Sequence, residues 1–140
     1  MNTATLVGNF TRNRLWCRRL LVLSVGLISI ASVIPHGVDA KTVLIASIGL
    51  DKIVHFLGFG CMAFLTLGAG SGLKFWKRAA LVLLVVLFGV VIEFVQYYLP
   101  YRTFNPVDIF ANVCGVVFGV VVWYALLVNN GRRRIQKVGG

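Results

Sequence analysis

The sequence predicts an all-α fold: an integral-membrane bundle of four transmembrane helices with both termini in the cytoplasm. Three observations carry this. The 140 residues are 59% hydrophobic with a mean hydropathy of +0.88, above the about 45–50% apolar content of soluble domains. The apolar residues gather into four runs, each near the length that a helix needs to cross a bilayer. The charges are sorted by the loop they occupy.

A hydrocarbon core about 30 Å thick takes about 20 helical residues to cross. The runs are residues 20–34, 53–67, 79–99 and 107–128. The first two are short, and Leu15 with Trp16, or the stretch 67–70, extends them. Little chain remains outside the runs. The expected organisation is a basic N-terminus (1–19), one membrane domain (20–128) and a basic tail (129–140). In a rival reading the first run is a signal peptide, with Val38-Asp39-Ala40 as its cleavage site. That would leave three spans, and it is the less favoured reading.

The net charge of +10 suggests nucleic acid by its size and excludes it by its placement. Eleven cations precede span one, join spans two and three, or follow span four: Arg12, Arg14, Arg18, Arg19, Lys74, Lys77, Arg78, Arg132, Arg133, Arg134 and Lys137. The opposite loops carry all four acids, with Lys41, Lys52 and Arg102. This is the positive-inside pattern, which places both termini in the cytoplasm and makes membrane lipids the expected partner. Trp16, Trp76, Trp123 and Tyr124 at the inner level, and Tyr97, Tyr98 and Tyr101 at the outer, read as interfacial belts. Cys17, Cys61 and Cys114 read as small apolar residues, with no disulfide expected. Residues 43–50 are apolar enough to lie on the membrane surface.

Against this background Glu93 stands out, a carboxylate within an apolar run. Such a group costs roughly 3 kcal/mol or more near a helix centre and usually has a partner or a task. The topology brings three segments to its depth: Asp51, Lys52 and His55 at the start of span two; Glu93 and Gln96 at the end of span three; Arg102, Asp108 and Asn112 around the start of span four. Asp51 and His55 are four apart and share a helix face. So do Gly89 and Glu93. Asp108, Asn112, Gly115 and Gly119 form one stripe, ending in a GxxxG pair that admits a close helix neighbour in the bundle or in a homo-oligomer. Plainer roles stand beside these. Asn105-Pro106-Val107-Asp108 has the form of a helix start. Asp51 has the form of an N-cap, Lys52 of a residue snorkelling to headgroups, and Asn112 of interhelical glue. No close-spaced metal motif, nucleophile elbow, P-loop or dinucleotide fingerprint is present, so neither metal nor cofactor is expected.

The ordered set Asp51-Lys52-x-x-His55, Glu93-x-x-Gln96, Arg102, Asp108-x-x-x-Asn112-x-x-Gly115-x-x-x-Gly119 resembles the VanZ-like family. The resemblance spans residues 51–119; the first span and the tail match only as a span and a tail. It implies a small multi-spanning protein of the bacterial inner membrane with an envelope role. The family's founding member is linked to resistance to teicoplanin-type glycopeptides, and no resistance phenotype follows for this chain. No reaction comes with the resemblance. It implies only that Asp51, Lys52, His55, Glu93, Gln96, Arg102, Asp108 and Asn112 are the matched polar positions.

Three functions compete. In the favoured one, an outer-face pocket binds the polar group of a lipid-linked or cell-wall precursor. Lys52, His55 and Arg102 then receive an anion, and Glu93 and Asp108 orient them. In the second, Glu93 and His55 work as base and acid in an integral-membrane enzyme. In the third, the charges are a buried structural core of an assembly factor.

Overall fold

The computed structural model describes residues 14–34, 40–102 and 104–138, with side chains described at 14–34, 52–102 and 104–129. Among the described residues four helices run in sequence: α1 (Arg14–Val33), α2 (Ala40–Ala69), α3 (Phe75–Tyr97) and α4 (Pro106–Val138). Each contains a stretch long and apolar enough to span a membrane: Arg14–Val33, Lys52–Ala69, Phe75–Tyr97 and Pro106–Asn129. The described residues contain no strand.

Local chemistry explains the boundaries. Asn105 caps α4, its Oδ1 accepting the Val107 N–H at 3.1 Å, and Pro106 occupies the first helical position, where a missing N–H costs nothing. The α3 helix ends in a tightened turn, with Tyr98 N–H donating to Val95 O at 3.1 Å and Leu99 N–H to Gln96 O at 3.1 Å. Pro100 follows and cannot continue it. Gly70, Ser71 and Gly72 turn the chain between α2 and α3. In α1, Ser29 and Ser32 donate to the carbonyls of Val25 (2.8 Å) and Ile28 (2.7 Å), which hides their hydroxyls inside the helix.

One boundary departs from the expectation. The α2 helix begins at Ala40, so Asp51 lies inside a continuous helix and is not its N-cap. The pair Asp51-Lys52 has the form of a helix start, yet a polar step at the edge of the bilayer need not interrupt backbone hydrogen bonding. Residues 43–50 continue α2 as helix; His36 and Asp39 fall outside the described residues.

The α2 helix is the hub. It packs on α1, α3 and α4, while α3 packs on α4 and α1 meets α3 only slightly; α1 and α4 do not touch among the described residues. Accordingly half of the α2 span is buried inside the protein, against 11% of the α1 span. Phe59, Met62 and Ala63 of α2, Val85 of α3 and Val116 of α4 form the core. Outside it lie Val22, Leu27, Leu83, Leu87, Val91, Phe110, Phe118 and Val121, all exposed. So continuous an apolar exterior suits lipid and not water. A furrow of about 180 Å³ on that exterior is lined by α2 and α4 alone, with Gly60 and Gly119 at its walls.

The GxxxG pair is used inside the chain. A Cβ at Gly119 would run into the Gly60 carbonyl oxygen, and one at Gly115 into that of Phe56. Both glycines are buried between α4 and α2, so a homo-oligomer through Gly115 and Gly119 would have to displace α2. A second departure concerns Trp123. It is 1% exposed, edge-on to Phe64 with ring centroids 5.3 Å apart, and is therefore a core residue and not part of the belt. Trp16, Trp76, Tyr97, Tyr98 and Tyr101 are exposed, as a belt requires. Cys17, Cys61 and Cys114 are not joined in disulfides.

Candidate functional site

Up-and-down packing brings the start of the α2 span, the end of α3 and the start of α4 to one end of the bundle. His55 of α2 and Asn112 of α4 meet there, with imidazole Nδ1 2.9 Å from the Asn112 Oδ1. The same Nδ1 lies 3.8 Å from the Glu93 Oε1 of α3. One turn further out, Lys52 Nζ lies 3.6 Å from Asp108 Oδ1. Phe59, one helical turn after His55, stacks parallel to its ring at 6.4 Å between centroids.

These groups are shut away. Glu93 is 0% exposed and Asn112 1%, and His55 and Asp108 are also buried. Lys52 keeps 28% of its side chain exposed, so it is the outermost member of the cluster. The Asn112 Nδ2 is buried without a hydrogen-bond acceptor. It rests against Gly89, where an added Cβ would approach it to 3.1 Å. Glycine at that position lets α4's amide reach the stripe that carries Glu93.

Gln96 and Arg102 are placed differently. Gln96 Nε2 donates to Ser32 O at 3.2 Å. Arg102 Nη2 donates to Ala31 O at 2.9 Å and Ile34 O at 3.3 Å, and Tyr101 Oη donates to Val33 O at 2.9 Å. The last carbonyls of a helix have no partners within it, and in lipid such groups are costly to leave unpaired. The end of α3 and the following loop therefore cap the C-terminus of α1, with the guanidinium also opposing the negative end of its dipole. Tyr101 has no role in the sequence reading beyond the belt, and its hydroxyl is part of this cap. Nothing in the sequence marks a main-chain carbonyl as a target, so only the adjacency of Tyr101 to Arg102 could have suggested it.

Of the eight matched positions, the structure gathers His55, Glu93, Asn112, Lys52 and Asp108, and assigns Gln96 and Arg102 to α1. The Asp51 backbone continues α2, and its side chain lies outside the described residues. No group of three or more metal-ligating side chains is present among the described residues.

Arg102→Ala is expected to lower stability by about 2 kcal/mol, the range for hydrogen bonds to a charged donor. Thermal unfolding in detergent reads it. Tyr101→Phe should cost about half as much, as a neutral donor would. An unchanged midpoint in Arg102→Ala would remove the cap from the argument.

Four apolar spanning helices around a buried polar cluster define a multi-pass membrane protein. A family model, VanZ/LLP1, matches residues 6–128, and the chain belongs to that family. No curated protein and no solved structure matches it. The match is longer than the resemblance read from residues 51–119, since it takes in α1. The cap gives a physical reason: Gln96 and Arg102 bond to α1, so the motif and the first span form one unit.

Proposed function

We propose that this chain is a cell-envelope protein of the bacterial inner membrane, with both termini cytoplasmic. Its outward-facing polar cluster binds the polar group of a lipid-linked or cell-wall precursor. The observation that carries the reading is the graded burial of the cluster. A partly exposed Lys52 stands beside Asp108, above a sealed layer that holds a spare donor, Asn112 Nδ2. A buried amide donor without an acceptor costs about 1–3 kcal/mol, a cost that an incoming oxygen would relieve. Lys52 at the rim supplies the long-range attraction for an anionic group. Because Arg102 is engaged with α1, the ligand contacts fall to Lys52, His55, Asn112 and Asp108, with Glu93 beside His55.

Native mass spectrometry of the purified protein tests this. Lys52→Gln should lose most of any co-purified lipid-linked precursor and lower the unfolding midpoint less than Glu93→Ala does, because Lys52 is at the rim although Asp108 beside it is buried. Equal retention in both proteins would end the proposal.

The enzymatic alternative draws on a different observation, the 3.8 Å separation of an imidazole nitrogen and a carboxylate in a buried site. That is the layout of an acid–base pair. It predicts turnover of a lipid-linked substrate that Glu93→Gln abolishes.

A further inference from the structure

The opposite end of the bundle presents the mirror problem, cations with no acid. Arg14, Arg18 and Arg19 enter α1, and Lys74, Lys77 and Arg78 enter α3. The only acids in the sequence are Asp39, Asp51, Glu93 and Asp108, so residues 1–34 and 61–92 contain none. The ion pairs among the described side chains, Lys52–Asp108 and His55–Glu93, lie at the far end.

These cations nevertheless converge. Arg14 lays its guanidinium over Gly72 in the turn between α2 and α3, and a Cβ at Gly72 would run into it. This brings α1's first charge to the turn that leads into Lys74, Lys77 and Arg78. Arg78 packs its Cγ 3.6 Å from where a Gly70 Cβ would stand, and its Nε is buried without a hydrogen-bond partner. Lys74 and Lys77 are exposed at the start of α3. Like charges drawn together, with the Arg78 Nε unspent and no carboxylate in reach among the described residues, form a surface that an external anion completes.

Depth identifies that anion. Trp16 and Trp76 are exposed, with Arg19 over one ring at 5.5 Å and Lys77 over the other at 5.3 Å. Exposed indoles at helix ends settle at the headgroup level, and the cations over them are held at that level. The phosphate layer of the bilayer is therefore the anion within reach.

We propose that Arg14, Lys74, Lys77 and Arg78, gathered at the α2–α3 turn, form a seat for the headgroup phosphate of an anionic phospholipid. The seat is separate from the polar cluster and does not depend on what that cluster binds. It anchors the start of α1, the helix least buried by its neighbours, to the rest of the bundle through a shared lipid.

The test uses the full chain reconstituted in phosphatidylcholine vesicles, with and without phosphatidylglycerol. Thermal unfolding and native mass spectrometry of retained lipid are the readouts. The wild type should retain phosphatidylglycerol in preference to phosphatidylcholine and unfold at a higher temperature when it is present. Lys74→Gln with Lys77→Gln, both exposed and safe for folding, should reduce that preference by roughly tenfold or more. Arg14→Gln should reduce it as well. Arg132→Gln with Arg133→Gln removes the same charge from the tail and should leave the preference intact. An equal loss in the tail variant would mean diffuse attraction and overturn the seat, as would no loss in any variant. Stabilisation by inorganic phosphate in pure phosphatidylcholine, equal to that by phosphatidylglycerol, would overturn the assignment to a lipid.

Discussion

Gly119→Leu is expected to separate α2 from α4 and to unfold the bundle at temperatures where the wild type is intact. The two helices approach through carbonyl groups: the Gly60 oxygen occupies the place of a Gly119 Cβ, and the Phe56 oxygen that of a Gly115 Cβ. A Cβ at Gly60 would in turn come to 3.0 Å from the Gly115 oxygen. A clash with the far end of a side chain is relieved by a rotation, whereas a clash with a carbonyl moves a helix. Overpacking costs about 1–3 kcal/mol and occasionally more, and a helix-wide displacement belongs at the top of that range. Because the same helix pair positions Lys52 against Asp108 and His55 against Asn112, the variant should also lose any ligand of the polar cluster. Gly26→Ala is the control. Nothing lies within 4 Å of a Cβ there, and alanine in a helix interior gains about 0.5–1 kcal/mol over glycine. Thermal unfolding in detergent compares the two. If both substitutions leave the midpoint unchanged, close α2–α4 approach is not what holds the bundle.

The parts of this architecture legible in the sequence are those written in periodicity and local chemistry. Four apolar runs became four spanning helices because length and hydropathy alone decide that question in lipid. The start of α4 was legible because Asn105 and Pro106 act on their own next turn. The spacing of Gly115 and Gly119 revealed a close approach but not its partner, since a GxxxG face looks the same whether it meets α2 or another chain. Gln96 and Arg102 were legible as important and not as caps, because their acceptors are main-chain carbonyls of Ala31, Ser32 and Ile34. Any sequence would supply those. Trp123 misled for a related reason: an indole near a helix end reads as an interfacial anchor unless the facing surface is known. Gly68 provides that surface, with its Cβ position only 3.3 Å from the Trp123 ring.

Glu93 carries the second large prediction, because two substitutions at this one position separate the readings of the site. Glu93→Ala removes one member of a buried pair and leaves a void beside His55, which should cost about 3–5 kcal/mol and show directly in thermal unfolding. Glu93→Gln preserves volume and a carbonyl acceptor and removes only the ionisable oxygen. The expected result is a protein that folds, with a midpoint far closer to the wild type than that of Glu93→Ala, and that no longer retains the lipid-linked ligand proposed for the cluster. The reasoning rests on His55, which Asn112 holds by one contact at 2.9 Å and Glu93 addresses at 3.8 Å. The shorter contact fixes the ring, and the longer one sets a buried carboxylate beside it. Losing the carboxylate therefore removes one polar group from the cluster while leaving the imidazole in its place. If Glu93→Gln instead unfolds as readily as Glu93→Ala, the charge pair is a structural core, and Lys52 and Asp108 above it are its rim. If Glu93→Gln folds, keeps its ligand and accumulates it unprocessed, Glu93 is an acid–base group and the protein is an enzyme. Full retention with full cellular activity would reduce Glu93 to a space-filling residue.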